Sequence, residues 1–123
     1  MFTSYRDGNP EIYAMNDDGT DQRRLTNSGA WGEIAPAWSP DGTKIAFARD
    51  RHMHVMNVDG TNETVLGDSI GGVIAWSPDG TRIAFTGDLY PWQIYVMNAD
   101  GTNPTRFTNN PAWDDNLAWG PPK

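Results

Sequence analysis

The hexapeptide Met15-Asn16-Asp17-Asp18-Gly19-Thr20 returns as Met56-Asn57-Val58-Asp59-Gly60-Thr61, and again as Met97-Asn98-Ala99-Asp100-Gly101-Thr102. Each copy begins 41 residues after the last, and three such periods fill the 123 residues. A fixed period of roughly 20–50 residues marks a repeat architecture. A second block alternates with the first. Trp38-Ser39-Pro40-Asp41-Gly42-Thr43-Lys44-Ile45-Ala46-Phe47 recurs as Trp76-Ser77-Pro78-Asp79-Gly80-Thr81-Arg82-Ile83-Ala84-Phe85. In Ser-Pro-Asp-Gly, proline presets φ for the second turn position and glycine accepts a positive φ after it. Short apolar flanks make this a β-hairpin. Asn-x-Asp-Gly-Thr reads as a second hairpin turn with glycine at the left-handed position.

Each repeat therefore predicts four short strands: a (34–38), b (44–48), c (53–57) and d (63–66) in the middle copy. Both faces are apolar but unequal in size. Ile45 and Phe47 oppose Ala46 and Ala48; Met53 and Val55 oppose His54 and Met56. Strands buried on both faces belong to a sheet held between other sheets. Four-stranded units of about 40 residues, stacked radially, are β-propeller blades.

The repeats resemble those of the TolB-like, WD-repeat-related β-propeller family. The residues that carry the likeness are Trp-Ser-Pro-Asp-Gly-Thr-Lys/Arg-Ile-Ala-Phe, Ile-Tyr-x-Met-Asn-x-Asp-Gly-Thr and Arg-x-Leu/Phe-Thr-Asn. The likeness covers nearly the whole chain. It implies an all-β propeller fold, a six-bladed ring, protein or peptide binding, and a bacterial periplasmic or cell-envelope setting. Two departures stand out: the third repeat ends Trp119-Gly120-Pro121-Pro122-Lys123 without an Asp-Gly turn, and His54 replaces Tyr13 and Tyr95.

Phe2 aligns with Phe47 and Phe85, so the strand order is b-c-d, a-b-c-d, a-b-c-d, a, the last strand being Leu117–Trp119. Residues 1–123 thus read as one module of three 41-residue repeats. Three blades fall short of the roughly four to eight usual in propellers. The expectation is a homodimer, with the C-terminal strand of one chain completing the first blade of its partner. Phe2, Leu117 and Trp119 would form that closure. Two chains then make a six-bladed ring, by the commonest oligomer symmetry. A module cut from a longer propeller is the alternative.

The c-to-d spacing is constant: Met15–Leu25, Met56–Leu66 and Met97–Phe107 each span 10 residues. The b-to-c and d-to-a connections vary in length. One end of the module should be uniform turns, and the other should carry variable loops, where binding concentrates. That variable face is expected to hold Tyr5, Arg6, Asp7, Trp31, Glu33, Asp50, Asp88, Tyr90, Trp92, Trp113, Asp114 and Asp115. Of these, Trp31, Glu33, Tyr90, Trp92, Trp113, Asp114 and Asp115 are the candidate ligand-binding residues. Trp38, Trp76 and Trp119 fill the repeated core position of strand a, whereas Trp31, Trp92 and Trp113 have no repeat counterpart. Loop tryptophans suit sugar stacking, cation capture or a protein hot spot, or they pack over loops and seams.

No catalytic constellation emerges. Ser39 and Ser77 lie in a repeated turn without a Gly-x-Ser-x-Gly context, there is no cysteine, and Gly71-Gly72 is a pair rather than a phosphate loop. His52-x-His54 is half a metal site at most, and His54 more simply fills a tyrosine position. The Asp-Gly turns lack the further acids of an EF-hand loop. Asp17-Asp18 and Asp114-Asp115 are adjacent pairs, weak as ion sites. A ring would also bring copies of one group together around a central ion or water column. Metal and cofactor are accordingly read as none, and the chain as no enzyme. The formal charge of −7 argues against nucleic acid and anionic membrane as partners. Residues 1–7 carry no apolar signal segment, and no run approaches the roughly 18 apolar residues that span a bilayer. Three functions remain: a protein- or peptide-binding scaffold, a carbohydrate-binding module, or a purely structural half-propeller, natural or engineered, that self-assembles.

Overall fold

The computed structural model describes residues 1–29, 32–68, 70–114 and 117–121. Among them run eleven strands in three antiparallel sheets. Sheet 1 holds β1 (Phe2–Ser4), β2 (Glu11–Ala14) and β3 (Arg23–Arg24). Sheet 2 holds β4 (Glu33–Trp38), β5 (Lys44–Arg49), β6 (His52–Asn57) and β7 (Thr64–Gly67). Sheet 3 holds β8 (Ile70–Trp76), β9 (Arg82–Gly87), β10 (Ile94–Asn98) and β11 (Thr105–Arg106). Each sheet is a meander in chain order. No described helix is long and apolar enough to cross a membrane.

The turns behave as their residues dictate. Gly42 N–H donates to the Ser39 carbonyl at 2.9 Å with φ +73°, and Gly80 repeats this onto Ser77. Asp41 Oδ1 accepts from the Ser39 hydroxyl, Thr43 N–H and the Thr43 hydroxyl at 2.6, 3.0 and 2.8 Å. In the second turn type Asp59 Oδ1 accepts from Thr61 N–H and its hydroxyl at 2.9 and 2.6 Å. Backbone bonds join the two turn types of one sheet at the same end: Val58 N–H to the Thr43 carbonyl, and Ala99 N–H to the Thr81 carbonyl.

Register confirms the repeat alignment. Phe2 pairs with Tyr13, Phe47 with His54, and Phe85 with Tyr95. All three pairs stack, with ring centroids 5.7, 5.4 and 5.6 Å apart. His54 therefore takes the place of a tyrosine, on the face of Phe47.

The unequal faces of the strands decide how the sheets stack. The small face of sheet 2 (Ala46, Ala48, Met53, Val55) packs on the large face of sheet 3 (Ile83, Phe85, Met97, with Ile70 and Ile74). The large face of sheet 2 (Ile45, Phe47, Met56) packs on Ile12 of sheet 1. Small against large lets the sheets interdigitate without voids. Each fully buried side chain, such as Phe47 or Met53, contributes about 1.5–3 kcal/mol.

Three expectations need correction. Leu117–Trp119 forms no strand: none of the described strands ladders with it, and the Trp119 indole bond to the Ala75 carbonyl packs it against β8 rather than pairing it. The outer strands β3 and β11 are only two residues long, half the length of their counterpart β7. Trp38 is not a closed core position: it is 41% exposed, whereas its counterpart Trp76 packs on the sheet 2–sheet 3 core.

Candidate binding face

The end opposite the Asp-Gly turns is made of the β1–β2, β5–β6 and β9–β10 loops and the connections that lead into β4 and β8 and follow β11. These loops differ in length, and each is tied down in its own way. In sheet 1 the tie is Glu11, fully buried at the start of β2. Its carboxylate accepts from Asn9 Nδ2 (2.8 Å), Arg24 Nη2 (2.7 Å), the Thr26 hydroxyl (2.6 Å) and Ser28 N–H (2.9 Å). In sheet 3 Gln93 holds the same place: its amide donates to the Trp92 and Ala112 carbonyls, and its oxygen accepts from Asn110 N–H. His52 is the counterpart in sheet 2, where the loops are short. It is exposed, and among the described residues its Nδ1 meets the Asp50 carbonyl, at 2.7 Å. The β5–β6 loop there is just Asp50-Arg51, both residues at positive φ, as the two-residue hairpin turns of this hand require.

Most of the expected face residues can be placed. Tyr90, Trp92 and Trp113 come together although 113 lies in a different loop. Trp92 stacks on Trp113 at 5.3 Å and Tyr90 meets Trp113 edge-on at 5.7 Å. Asp114 anchors the group, its N–H donating to the Trp92 carbonyl and its carboxylate accepting from Asn110 Nδ2. Tyr90 and Trp113 stay largely exposed, as does neighbouring Leu89. Next to Trp92 a cleft of about 330 Å³ is lined by Gly32, Ile34, Ala48, Asp50, Arg51, Ile70, Gly71 and Asp88. The Arg51 guanidinium donates to the Asp88 carboxylate across this cleft, joining the loops of sheets 2 and 3. The other Asp88 oxygen is buried without a partner among the described residues.

Tyr5, Arg6 and Asp7 sit apart from this group, over sheet 1. Arg6 lies on the Tyr13 ring, 4.5 Å from its centroid, and the Tyr13 hydroxyl donates to Asp7. That carboxylate holds the Tyr13 hydroxyl above its ordinary pKa, with burial adding to the effect. Glu33 lies in β4 opposite Arg49 in the backbone register. Trp31 and Asp115 lie outside the described residues.

The acidic turns hold their protons weakly. The Ser39 and Ser77 hydroxyls, then the threonine N–H and hydroxyl groups, hold Asp41 and Asp79 down at about 2. Threonine donors likewise lower Asp18, Asp59 and Asp100. These carboxylates are thus occupied by their own turns. His54 is pushed down by burial and by Arg49, against the pull of Glu63. Burial alone would raise Glu63, but Arg49 and His54 outweigh it and bring it below the usual range. Among the described residues no group of three or more His, Cys, Asp or Glu side chains is arranged to hold a metal.

The Glu11 hub and the Arg51–Asp88 link were not expected. Glu11 carries a weak signal, as it aligns with Gln93 in an otherwise apolar strand. The Arg51–Asp88 link carries none, because it joins residues 37 apart that only the packing of two sheets brings together.

Sheets of three and four antiparallel strands, stacked face to face in sequence order, are the units of a β-propeller. The comparisons with known proteins agree. The chain is 41% identical over 61 residues to the Protein TolB homolog of Chlorobium luteolum, a match covering 47% of this chain and 14% of that protein. The structure of a putative TolB from Agrobacterium tumefaciens superposes with a TM-score of 0.74 at 27% identity, over 88% of this chain and 41% of that one. An oligogalacturonate lyase from Vibrio parahaemolyticus shares the fold alone, with a TM-score of 0.71 at 14% identity, over 91% of this chain and 36% of that one. No family model matches. In fold and repeat sequence the chain resembles TolB-like β-propellers, and it spans less than half the length of these relatives.

Proposed function

We propose that the three sheets are three propeller blades, that two chains close a six-bladed ring, and that this ring is a non-catalytic scaffold. It binds a protein or peptide through the variable loops, in a bacterial envelope setting like that implied by the TolB likeness. The observation that carries this reading is the Tyr90–Trp92–Trp113 cluster. Large, semi-rigid aromatic side chains, with Tyr90 and Trp113 exposed and Trp92 half-buried, stand on a face whose backbone is held by Gln93 and Asp114. Aromatic anchors of this kind, presented with little entropy left to lose, are the usual hot spots of protein interfaces. The buried acid at Asp88 beside the cleft and the net charge of −7 favour a basic partner segment.

Carbohydrate binding is the weaker reading. Trp92 and Trp113 spend one ring face on each other, so they do not offer the separate flat platforms that successive sugar rings need. Selection from a random peptide display library tests the choice. Peptides rich in Lys or Arg should be retained by the wild type and lost by the Tyr90→Ala, Trp92→Ala, Trp113→Ala triple variant. A glycan-array signal with no peptide retained would contradict the proposal in favour of sugar.

A further inference from the structure

The two seams inside this chain, between sheets 1 and 2 and between sheets 2 and 3, follow one pattern. In each, a glycine of the Asn-x-Asp-Gly turn passes close over a carbonyl of the preceding sheet. A Cβ on Gly60 would stand 3.0 Å from the Leu25 oxygen, and one on Gly101 would stand 2.6 Å from the Leu66 oxygen. Beside it a methionine is sealed by the same leucine. Met56, 1% exposed, shares a core with Leu25, and Met97, 3% exposed, shares one with Leu66.

The outer faces of the stack carry the unmatched halves. On sheet 1, Gly19 has nothing within 4 Å and Met15 is 41% exposed. On sheet 3, Phe107 stands where Leu25 and Leu66 stand in the other repeats, and it is 61% exposed. A second set of contacts repeats in the same way. The Trp76 indole N–H donates to the Ala37 carbonyl at 3.1 Å, and the Trp119 indole N–H donates to the Ala75 carbonyl at 3.0 Å. Residues 117–121 therefore lie against β8 as β8 lies against β4. Trp38, the remaining member, makes no such bond among the described residues, and Ala118 is the unused counterpart of Ala37 and Ala75. Gly80 rests on Pro40, whereas Gly42 faces open space, and Pro121 is the counterpart of Pro40. Finally, β5 and β9 are paired on both sides, but β1 is paired only with β2.

We propose that sheet 1 of one chain docks on sheet 3 and residues 117–121 of a second copy, repeating the internal seam in register. This rests on the reading of the sheets as propeller blades. Met15 packs on Phe107 of the other copy, the Trp38 indole donates to the Ala118 carbonyl, and Leu117 pairs with Phe2 as Ile74 pairs with Phe85. The contact is head-to-tail, and such contacts close when the rotation divides a circle. Three sheets closing on themselves would each need to turn about 120°, whereas two copies need about 60° per sheet, within the range of known propellers. The occupant is thus a second copy, because the surface it meets continues a seam already formed twice.

The test uses a chain with no cysteine of its own. With Phe2→Cys and Leu117→Cys together, mild oxidation should give a covalent dimer on a non-reducing gel, reversed by thiol. Phe107→Glu alters an exposed position of the single chain, so the circular dichroism should hold while the dimer dissociation constant rises by at least roughly thirtyfold, the effect of losing one hot spot. A dimer unmoved by Phe107→Glu and unlinked by the cysteines, or linked only within one chain, overturns this seam but leaves self-association standing. A monomeric wild type overturns both the seam and the ring.

Discussion

Glu11 shows how much one side chain can hold. It is fully buried, yet it satisfies donors from four residues in two loops and one strand. Removing it takes away the buried acceptor shared by Asn9, Arg24, Thr26 and Ser28, although Arg24 keeps Asp7, Asn27 and the Thr26 carbonyl. Glu11→Ala should cost about 2–3 kcal/mol, read as a drop in the urea midpoint. Glu11→Gln should cost less than half of that, because Gln93 performs the same tie in sheet 3. Equal losses in the two variants would show that the hydrogen bonds are not what matters. The acidic turns set the response to pH. Asp41 and Asp79 have a folded pKa of about 2, below the roughly 3.9 of an unfolded aspartate. A depressed folded pKa gives stability that is present above the unfolded value and lost as pH falls through the folded one. His54 acts in the same direction at higher pH: its pKa is lowered, so acidification below its unfolded value of about 6.5 favours the unfolded chain. The thermal midpoint should therefore fall from pH 7 to pH 5, and again between about pH 4 and pH 2. Ser39→Ala with Ser77→Ala should raise the carboxyl midpoints of Asp41 and Asp79 measured by NMR.

At the scale of strands and sheets, the decisive feature is the size difference between the faces of β5. Ala46 is fully buried where sheet 2 meets sheet 3. Ala46→Leu should overpack that seam and cost about 1–3 kcal/mol in the denaturant midpoint. A neutral result would mean the seam is loose. The face assignment was legible because the alternation Ile45-Ala46-Phe47-Ala48 repeats as Ile83-Ala84-Phe85 at a fixed distance from a fixed turn. That His54 fills a tyrosine position was legible for the same reason, as a substitution at a repeated site, whereas its stacking on Phe47 shows only in the fold. What escaped is what a period cannot encode. Strand β4 bulges between Ile34 and Ala37, with Ala35 at φ +54°, and β8 bulges between Ile70 and Ile74. The loops have no second copy to be read against. The meeting of Trp113 with Trp92 depends on the particular course of residues 107–114, and no spacing rule supplies it.

At the scale of the molecule, the Asp-Gly turns that mark the period prove to be scaffold, their carboxylates used up by neighbouring Ser and Thr donors. The same turns serve a second purpose at the seams, where Gly60 and Gly101 lie against carbonyls of the preceding sheet. Gly19, Met15, Trp38 and the free side of β1 have no such neighbour among the described residues, and Phe107 and Ala118 offer one. An open edge strand beside exposed apolar side chains invites pairing with another chain, ordered or otherwise. Closing it with a second copy converts that hazard into a ring and leaves the aromatic loops on one end for a partner. The claim that two chains complete each other is tested most directly by native mass spectrometry at micromolar concentration. A single species at twice the 13.6 kDa chain mass is expected. A species at the chain mass alone would contradict it.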